Sequence, residues 1–196
     1  MDNRQFTKLC SRAWSLQILS CLAMGDSARP SPIAHKLGVG RTALSASFSH
    51  LIELNLLARN PGHGHPLRPE YKLTELGQQV ANWALMLDQQ VKSENDWLMI
   101  RKTWTLPILR EAILPISFGN IRSNLVPITD RALSISLKNM CQEHWLDRHV
   151  ETVQAPIRVS YSITQRIEGL VPILESSHDF ALSQSWDMMF MVFFEP

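Results

Sequence analysis

The sequence contains one pattern twice, with a spacing of about 90 residues between the two copies. The matching pairs, in chain order, are AWSLQIL (13–19) with TWTLPIL (103–109), ALSASFSHL (43–51) with ALSISLKNM (132–140), and RPEYKLT (68–74) with RVSYSIT (158–164). Three ordered matches at nearly one spacing indicate a tandem duplication of a structural unit. Because the period is that of a small domain, the chain is predicted to contain two related domains rather than a solenoid.

The hydrophobic pattern of each copy predicts helices, then a hairpin, then a further helix. In copy one, apolar residues recur at steps of three and four from Phe6 to Leu22, which predicts a first helix. The other elements predicted for copy one are helices PIAHKL and RTALSASFSHLIELN, strands LLAR and EYKLT, and a helix from about Glu75 to Lys92. Those predicted for copy two are helices at about 97–114, 118–125 and 129–144, strands WLDRH and IRVSYSI, and a helix from about Gln165 toward Ser176.

Three helices followed by a two-stranded hairpin form the plan of a winged helix-turn-helix domain. The predicted fold class is therefore mainly α with small β-hairpin wings, in two tandem domains. We assign copy one to residues 1–93 and copy two, with a C-terminal amphipathic helix, to residues 94–196. Since the junction SEND (93–96) is too short for a flexible linker, we expect the copies to form an intramolecular pseudo-dimer. The predicted interface consists of the first and last helices of each copy, with the apolar stripes Leu16/Ile18/Leu19/Leu22 and Val80/Trp83/Leu87.

Composition and charge exclude several classes of protein. Apolar residues make up 45% of the chain, enough for a core, and no run of about 18 apolar residues predicts a membrane-spanning helix. The first residues lack the apolar segment of a signal peptide, and three cysteines without metal-ligand spacing favour a reduced, cytoplasmic location. No phosphate-binding loop, nucleophile motif or paired metal-ligand motif occurs, so we expect neither an enzyme nor a bound cofactor.

The charges are nearly balanced but unevenly distributed. Residues 1–95 hold 10 Lys/Arg and 7 Asp/Glu, whereas residues 96–196 hold 9 and 11. The formal net charge of the whole chain is +1. Any contact with nucleic-acid phosphates would therefore have to come from a local basic face rather than from the whole surface.

Both copies carry Trp-x-Leu-x-Ile-Leu in the first helix, Leu-Ser in the third, and Pro-x-Arg-x-x-Tyr after the wing. In copy one the residues are Trp14, Leu16, Ile18, Leu19, Leu44, Ser45, Phe48, Leu51, Pro66, Arg68, Tyr71, Leu73 and Thr74; in copy two they are Trp104, Leu106, Ile108, Leu109, Leu133, Ser134, Leu137, Met140, Pro156, Arg158, Tyr161, Ile163 and Thr164. This set resembles the HxlR-type, MarR-like branch of winged helix-turn-helix transcriptional regulators. The resemblance covers about 80 residues of each copy, and it implies a cytoplasmic DNA-binding repressor or activator.

The sequence departs from the HxlR-type pattern in two respects. Members of that family usually carry a cysteine well ahead of the first Trp, whereas here Cys10 lies four residues before Trp14 and copy two has no counterpart. A thiol switch is therefore not implied for this chain. Ala46 and Ile135 occupy places on the third helix where long polar side chains are usual, and Asp130, which would repel phosphate, begins that helix in copy two. These departures imply that copy two contacts DNA weakly or not at all.

The candidate DNA contacts lie on the third helix and the wing of each copy. Those of copy one are Arg41, Thr42, Ser45 and Ser49 on the helix and Arg59 and Arg68 on the wing; those of copy two are Arg131, Ser134 and Lys138 on the helix and Arg158 on the wing. The helix residues lie opposite the apolar stripe, where they could read bases or form an ordinary solvated face. Arg68 could hold a phosphate or orient the wing by pairing with an acid.

Other residues have two interpretations each. His63 and His65 could bind a metal ion, but the absence of a nearby cysteine or acid favours a polar loop, and no metal site is predicted. The cysteines could be sensors or core residues, and the tryptophans and tyrosines could line a ligand pocket or the core. The apolar segment WDMMFMVFF (186–194) is too short to span a bilayer, and we expect it to be buried.

These patterns predict a sequence-specific regulator of transcription that binds double-stranded DNA through two non-identical heads. Because the two third helices differ, the operator is expected to be an imperfect palindrome. Two alternatives stay open: a protein-interaction module that docks through its hydrophobic C-terminal segment, and a regulator with a small-molecule effector between the copies. A monomeric pseudo-dimer and a homodimer are both compatible with the sequence.

Overall fold

The computed structural model describes residues 1–60, 70–152 and 158–180, and its helices follow the predicted order. The helices of copy one are α1 (Asn3–Cys10), α2 (Ser15–Ala23), α3 (Pro30–Leu37), α4 (Arg41–Glu53) and α5 (Glu75–Gln90). Those of copy two are α6 (Glu94–Ile100), α7 (Thr105–Glu111), α8 (Phe118–Asn124), α9 (Asp130–Gln142) and α10 (Val171–Ser176), the last preceded by a 3₁₀ segment at Gln165–Leu170. The fold is mainly helical, as predicted.

Each copy carries an antiparallel hairpin after the helix that was predicted as its third, which is α4 in copy one and α9 in copy two. We keep the name third helix for these two helices. The strands are β1 (Leu57–Arg59), β2 (Tyr71–Leu73), β3 (Ile116–Ser117), β4 (Leu146–Glu151) and β5 (Arg158–Ile163). In copy one, β1 pairs with β2 so that Leu57 lies opposite Leu73. In copy two the order is β3-β5-β4, and the short strand β3 was not predicted from the sequence. These hairpins are the expected wings, and the loop residues 61–69 and 153–157 lie outside the described part of the chain.

The same backbone frame recurs in both copies. Asn55 and His144 are equivalent residues that follow the third helix, and both have a positive φ, of 54° and 57°. The hydroxyl of Thr74 donates to Asn55 O at 2.7 Å, and that of Thr164 donates to His144 O at 2.7 Å. The turn, the threonine and the hydrogen bond are thus repeated together, which is why the threonine belongs to the sequence repeat.

The prediction of one long first helix in each copy is wrong. In copy one a turn over residues 11–14 separates α1 from α2, and in copy two residues 101–104 separate α6 from α7. Trp14 and Trp104 occupy the N-cap positions after these turns with nearly equal dihedral angles, φ of −103° and −96°. Because apolar residues recur at helical spacing on both sides of the turn, the sequence pattern alone does not reveal the break.

The last helix differs between the copies because of one glycine. A Cβ atom at Gly77 in α5 would lie 1.9 Å from Leu56 O, so α5 approaches this carbonyl as only glycine allows. The equivalent residue of copy two is Ile167, whose φ of −118° is not helical. The predicted continuous helix from Gln165 to Ser176 is therefore replaced by the 3₁₀ segment and the short α10.

The two copies pack against each other as a pseudo-dimer. The indole N–H of Trp83 donates to Ile173 O at 2.6 Å, and residues 83 and 173 are equivalent positions of the repeat. Contact between equivalent residues is the mark of a two-fold axis in a symmetric dimer. Helix α10 packs against α5 and α7, and α1 packs against α7. The apolar stripe of α2 packs against α5 within copy one, so this part of the predicted interface is wrong.

A buried arginine reinforces the contact between the copies. The guanidinium of Arg110 in α7 lies 4.2 Å from the centre of the Phe6 ring in α1. It also donates to Met1 O at 3.2 Å, to Ser177 Oγ at 3.2 Å and to the side-chain oxygen of Asn3. Burial lowers the pKa of this arginine. These contacts tie the first residues of copy one to copy two.

Candidate nucleic-acid interface

The third helix of copy one, α4, presents a polar face to solvent. It contains 13 residues, which corresponds to a length of about 20 Å. Its apolar residues Leu44, Phe48 and Leu51 are buried against the domain. The predicted contact residues of this helix are all exposed: Arg41, Thr42, Ser45 and Ser49. The sequence-based division of α4 into two faces therefore agrees with the structure.

A buried histidine fixes α4 against α1. The side chain of His50 is 7% exposed, and its Nε2 atom lies 2.8 Å from Lys8 O. Burial, opposed by this hydrogen bond and by Glu53, lowers the pKa of His50. The neutral ring can donate to the carbonyl and hold the helix in place. Sequence reasoning missed this residue, because a histidine on a mostly polar helix gives no signal of burial.

The wing of copy one places Arg59 at the end of β1. This residue is exposed and lies opposite Tyr71 in the ladder. Beside the hairpin, Glu70 pairs with Arg29 at 3.5 Å and accepts a hydrogen bond from the Asn60 side chain at 3.5 Å. Arg68, His63 and His65 lie outside the described residues, so their predicted roles stay predictions.

The third helix of copy two, α9, has the same length and the same two faces. Leu133, Leu137 and Met140 are buried. The predicted contact residues Arg131, Ser134 and Lys138 are exposed, as is Ile135 at 50%. The helix is capped at its start, where the Thr129 hydroxyl accepts the Ala132 N–H at 3.2 Å. Both copies thus present a 13-residue helix of similar design.

The expectation that Asp130 repels phosphate has to be corrected. Its carboxylate lies 2.7 Å from Arg122 Nε, so the acid at the start of α9 is paired with a cation from α8. Because both side chains are at least 40% exposed, the pair contributes little to stability. It nevertheless balances the local charge, and the negative field expected from Asp130 alone is reduced.

The wing of copy two is less basic than that of copy one. Arg158 is exposed at the start of β5, and Glu151 lies directly opposite it in the ladder. Arg148, the equivalent of Arg59, is also exposed and lies opposite Tyr161. The acid across from Arg158 weakens the local positive field.

A groove lies between α9 and the wing of copy two. In copy one the rings of Phe48 in α4 and Tyr71 in β2 lie 5.1 Å apart. In copy two Leu137 takes the place of Phe48 opposite Tyr161, and a groove of about 530 Å³ opens there. Lys138 also lines this groove. The second head therefore combines a basic side chain with an open apolar surface.

A family model described as HxlR-like helix-turn-helix matches this chain twice, over residues 9–97 and 99–188. The chain belongs to the HxlR-like helix-turn-helix family. Because the same family is matched by both halves, the tandem duplication inferred from the sequence is confirmed. Membership in the HxlR-like family also confirms the resemblance drawn from the Trp, Tyr and Thr motifs.

The chain is also similar to part of one curated protein and of one solved structure. A Mycobacterium tuberculosis protein named as an HTH-type transcriptional regulator is 37% identical over 73 residues, which is 37% of this chain and 46% of that relative. The chain thus matches about half the length of this relative. A crystal structure described as a MarR-family transcriptional regulator from Porphyromonas gingivalis W83 is 23% identical, covering 46% of this chain and 89% of the other, with a TM-score of 0.41. The name of the M. tuberculosis protein describes a regulator rather than an enzyme.

The cysteines of this HxlR-like chain have the environment of packed thiols. Burial raises the pKa of Cys10 to about 12 and that of Cys21 to about 11, and it also raises the pKa of Cys141. Since the thiolate is the reactive form of cysteine, these shifts disfavour reaction with oxidants. The structure therefore favours the interpretation of the cysteines as core residues.

Two further features bear on the predicted site classes. Within residues 1–60, 70–152 and 158–180, no group of three or more His, Cys, Asp or Glu side chains could hold a metal ion. No helix in the same ranges is long and apolar enough to cross a bilayer. The apolar segment at 186–194 lies outside the described residues.

Proposed function

We propose that the protein regulates transcription by binding double-stranded DNA through two non-identical winged-helix heads in one chain. The observation that carries this proposal is that both copies present an exposed helix and a wing of the same kind. Each copy presents a 13-residue third helix with an exposed arginine in its first turn, Arg41 or Arg131, followed by a wing with an exposed arginine, Arg59 or Arg148. The family membership and the name of the M. tuberculosis relative support the same function.

The dimensions and side chains of α4 suit the major groove. A helix of this size fits a groove about 12 Å wide, where arginine can pair with the O6 and N7 atoms of guanine. Arg41 is the proposed base contact of copy one, with Thr42, Ser45 and Ser49 as shorter hydrogen-bonding partners along the same face. Arg59, and in our proposal Arg68, would contact phosphates from the wing, which positions the helix without reading sequence.

The second head is proposed to read different bases. Arg131, Ser134 and Lys138 can donate hydrogen bonds to bases or phosphates, whereas the exposed Ile135 can contact only an apolar group such as the thymine methyl. Arg158 is proposed as a wing contact that is weakened by Glu151. Because the two helices present different side chains, the two half-sites are expected to differ in sequence.

The pseudo-dimer removes the need for a second chain. Winged-helix and other helix-turn-helix regulators commonly place two reading helices about one turn of DNA apart by dimerisation. Here the two helices belong to one polypeptide, and the bonds of Trp83 to Ile173 and of Arg110 to Met1 and Asn3 join the copies. We therefore propose that one chain, with domains at 1–93 and 94–196, occupies one complete operator.

The proposal is tested by titrating the full chain into a pool of random duplex DNA at two salt concentrations. Binding through several phosphates must weaken steeply as salt rises, with a slope of about −0.9 per phosphate contact. Arg41→Ala is expected to reduce affinity for the selected sites by about 1–3 kcal/mol, with a smaller loss for Arg131→Ala. Arg4→Ala, which removes an exposed arginine of α1 outside both heads, serves as the matched control. Equal affinity of all three variants and the parent chain would contradict the proposal.

A further inference from the structure

The first residue of the third helix carries opposite charges in the two copies. The repeat of ALSASFSHL (43–51) as ALSISLKNM (132–140) makes Arg41 and Asp130 equivalent positions. Each is the first residue of its helix, and each is exposed. Arg41 is the proposed guanine contact of copy one. A residue at the same place in the second head would therefore also face a base edge, but it carries a carboxylate.

The carboxylate of Asp130 is anchored on one side and open to solvent. Its Oδ1 atom accepts a hydrogen bond from Arg122 Nε at 2.7 Å, and the Asp130 side chain is 78% exposed. Within the described part of the chain, Arg122 is the one hydrogen-bonding partner of this side chain. Because a carboxylate has a second oxygen with acceptor capacity, Oδ2 can accept a hydrogen bond from a group outside the protein.

The anchoring arginine also differs between the copies. Ile33 of α3 and Ile121 of α8 are the buried residues of the helix that precedes the third helix in each copy. Aligning these two isoleucines pairs Arg122 with Ala34. Copy one thus has a cation at the start of its third helix, whereas copy two has an acid there with a cation on the preceding helix.

A carboxylate that reads a base needs a cation beside it, because the phosphates on both sides of the groove repel an unpaired acid. Arg122 supplies this cation through a charge-assisted hydrogen bond to Asp130. In helix-turn-helix proteins the helix before the reading helix crosses the DNA backbone. Arg122 lies on that helix, α8, so its remaining N–H groups can contact a phosphate while Nε holds Asp130.

We propose that Asp130 determines base specificity in the second half-site by accepting a hydrogen bond from the N4 amino group of cytosine. This inference rests on the proposed DNA-binding function. In the major groove, guanine and thymine present acceptors that repel a carboxylate, and adenine presents its amino group beside the N7 acceptor. Cytosine presents its amino group without such an acceptor. Arg122 is a positioning residue, which holds Oδ1 and leaves Oδ2 for the base.

The two half-sites should therefore differ at one defined position. The pseudo-two-fold axis relates the base contacted by Arg41 to the base contacted by Asp130. A perfect palindrome has the same base at both places, whereas this arrangement selects guanine at one and cytosine at the other. Because aspartate is shorter than arginine, α9 has to approach its base more closely than α4 does.

The test uses the full chain and four duplexes derived from the operator that it selects. All four keep the guanine whose selection depends on Arg41, and they differ in the base pair that two-fold symmetry relates to it. We expect the cytosine duplex to bind about five- to tenfold more tightly than the other three. Asp130→Ala should bind all four with equal affinity. Asp130→Arg should prefer the guanine duplex, because it places in copy two the side chain that copy one uses.

The role of Arg122 is tested in two backgrounds. Arg122→Gln is expected to lower the affinity for all four duplexes by about three- to tenfold, because Asp130 then faces the phosphates without its cation. In a chain that also carries Asp130→Ala, the loss from Arg122→Gln should be smaller, since no acid is left to neutralise. An equal loss in both backgrounds would show that Arg122 contacts phosphate without positioning Asp130.

Glu75→Ala is the matched control. Like Asp130, Glu75 is an exposed acid at the first position of a helix, α5, after a threonine N-cap, but it lies outside both third helices. Its loss removes the same favourable interaction with the helix dipole and should leave the base preference unchanged. Equal binding of the four duplexes by the parent chain overturns the proposal. So does a preference for cytosine that persists in Asp130→Ala and Asp130→Arg.

The same titrations separate this inference from the proposed function. If Arg41→Ala weakens binding while the parent chain binds the four duplexes equally, the chain reads DNA and only the role of Asp130 is wrong. If the parent chain binds none of the duplexes even at low salt, the proposed function is contradicted and this inference with it.

Discussion

The two copies share their backbone hydrogen bonds but differ in how the last helix packs. In copy one, α5 runs without interruption over 16 residues and lies against the carbonyl of Leu56. In copy two the equivalent stretch is a 3₁₀ segment followed by the six-residue α10. The left-handed turn residues, Asn55 and His144, and the threonine bonds that follow them are nearly identical.

The comparison shows which features of a winged helix the two copies share and which differ between them. The turn after the third helix positions the wing, and both copies retain its geometry. The contact between the last helix and that turn depends on side-chain size, and it differs between the copies: Leu56 and Gly77 in copy one correspond to Trp145 and Ile167 in copy two. Copy two therefore has the same turn and threonine hydrogen bond as copy one, whereas its last helix packs differently.

The largest expected effect comes from adding one methyl group to α5. In Gly77→Ala the new Cβ would lie 1.9 Å from Leu56 O, a backbone atom that cannot move without shifting the wing. We expect a loss of about 3 kcal/mol or more in the free energy of unfolding, well beyond the gain of about 1 kcal/mol in helix propensity. Urea denaturation measures the loss.

The matched variant is Gly169→Ala in the 3₁₀ segment of copy two. There the new Cβ would lie 3.0 Å from the Gln90 side-chain oxygen, which can rotate away. The free energy of unfolding is expected to change by less than about 1 kcal/mol. Similar losses for the two variants would contradict the assignment of Gly77 as the cause of the difference between the copies.

A smaller effect is expected from the two buried tryptophans. Trp83→Phe removes the 2.6 Å bond to Ile173 O that joins the copies, although this carbonyl keeps the Ser176 hydroxyl at 2.9 Å. We expect a loss of about 1–2 kcal/mol in the free energy of unfolding. Trp145→Phe loses ring volume but also removes an unpaired donor, so its cost should stay below about 1 kcal/mol. A larger loss for Trp145→Phe than for Trp83→Phe would show that the Trp145 N–H has a partner.

The smallest expected effect is the pH dependence that His50 of copy one contributes to stability. His50 has a lowered pKa in the folded state, so the unfolded chain binds more protons as the pH falls below about 6.5. The contribution of His50 to the free energy of unfolding is therefore fully present above that pH. It is lost as the pH decreases toward the pKa of His50 in the folded state. The equivalent residue of copy two is Asn139, which does not titrate.

His50→Gln is the variant that isolates this effect. Its urea midpoint should change less between about pH 7.5 and pH 5.5 than that of the parent chain, because the titrating ring is gone. Asn139→Gln serves as the control at the equivalent position and should retain the parent's pH dependence. An unchanged pH dependence in His50→Gln would show that other groups, such as His178, account for it.

The sequence was sufficient to predict the repeat, the order of the elements and the polar face of each third helix. Periodicity reports which residues are buried, and it identified Leu44 and Leu133 as core residues. It could not report the break between α1 and α2, because the apolar spacing continues across the turn. The break in the last helix of copy two was also missed, since it depends on the residues that replace Leu56 and Gly77 there, Trp145 and Ile167, which are 22 positions apart in the chain.

The sequence predicted the part of the candidate site that lies within single helices, but not the contacts between elements. Exposure of Arg41 and Arg131 follows from helical spacing, and the structure agrees with it. The pairing of Asp130 with Arg122 joins two helices, and a pattern within one helix cannot show it. For Trp145 the sequence left a ligand pocket and the core open, and the structure buries its side chain, which is 1% exposed, in the core.

The most direct test of two non-identical heads is selection of bound sequences by the full chain. The pool should contain a randomised stretch of about 30 base pairs, long enough for two half-sites one turn apart. We predict an imperfect palindrome, in which Arg41→Ala abolishes selection at one half-site and Arg131→Ala at the other. A perfect palindrome, or a single half-site that is insensitive to Arg131→Ala, would contradict the claim that the two copies read different halves of one operator.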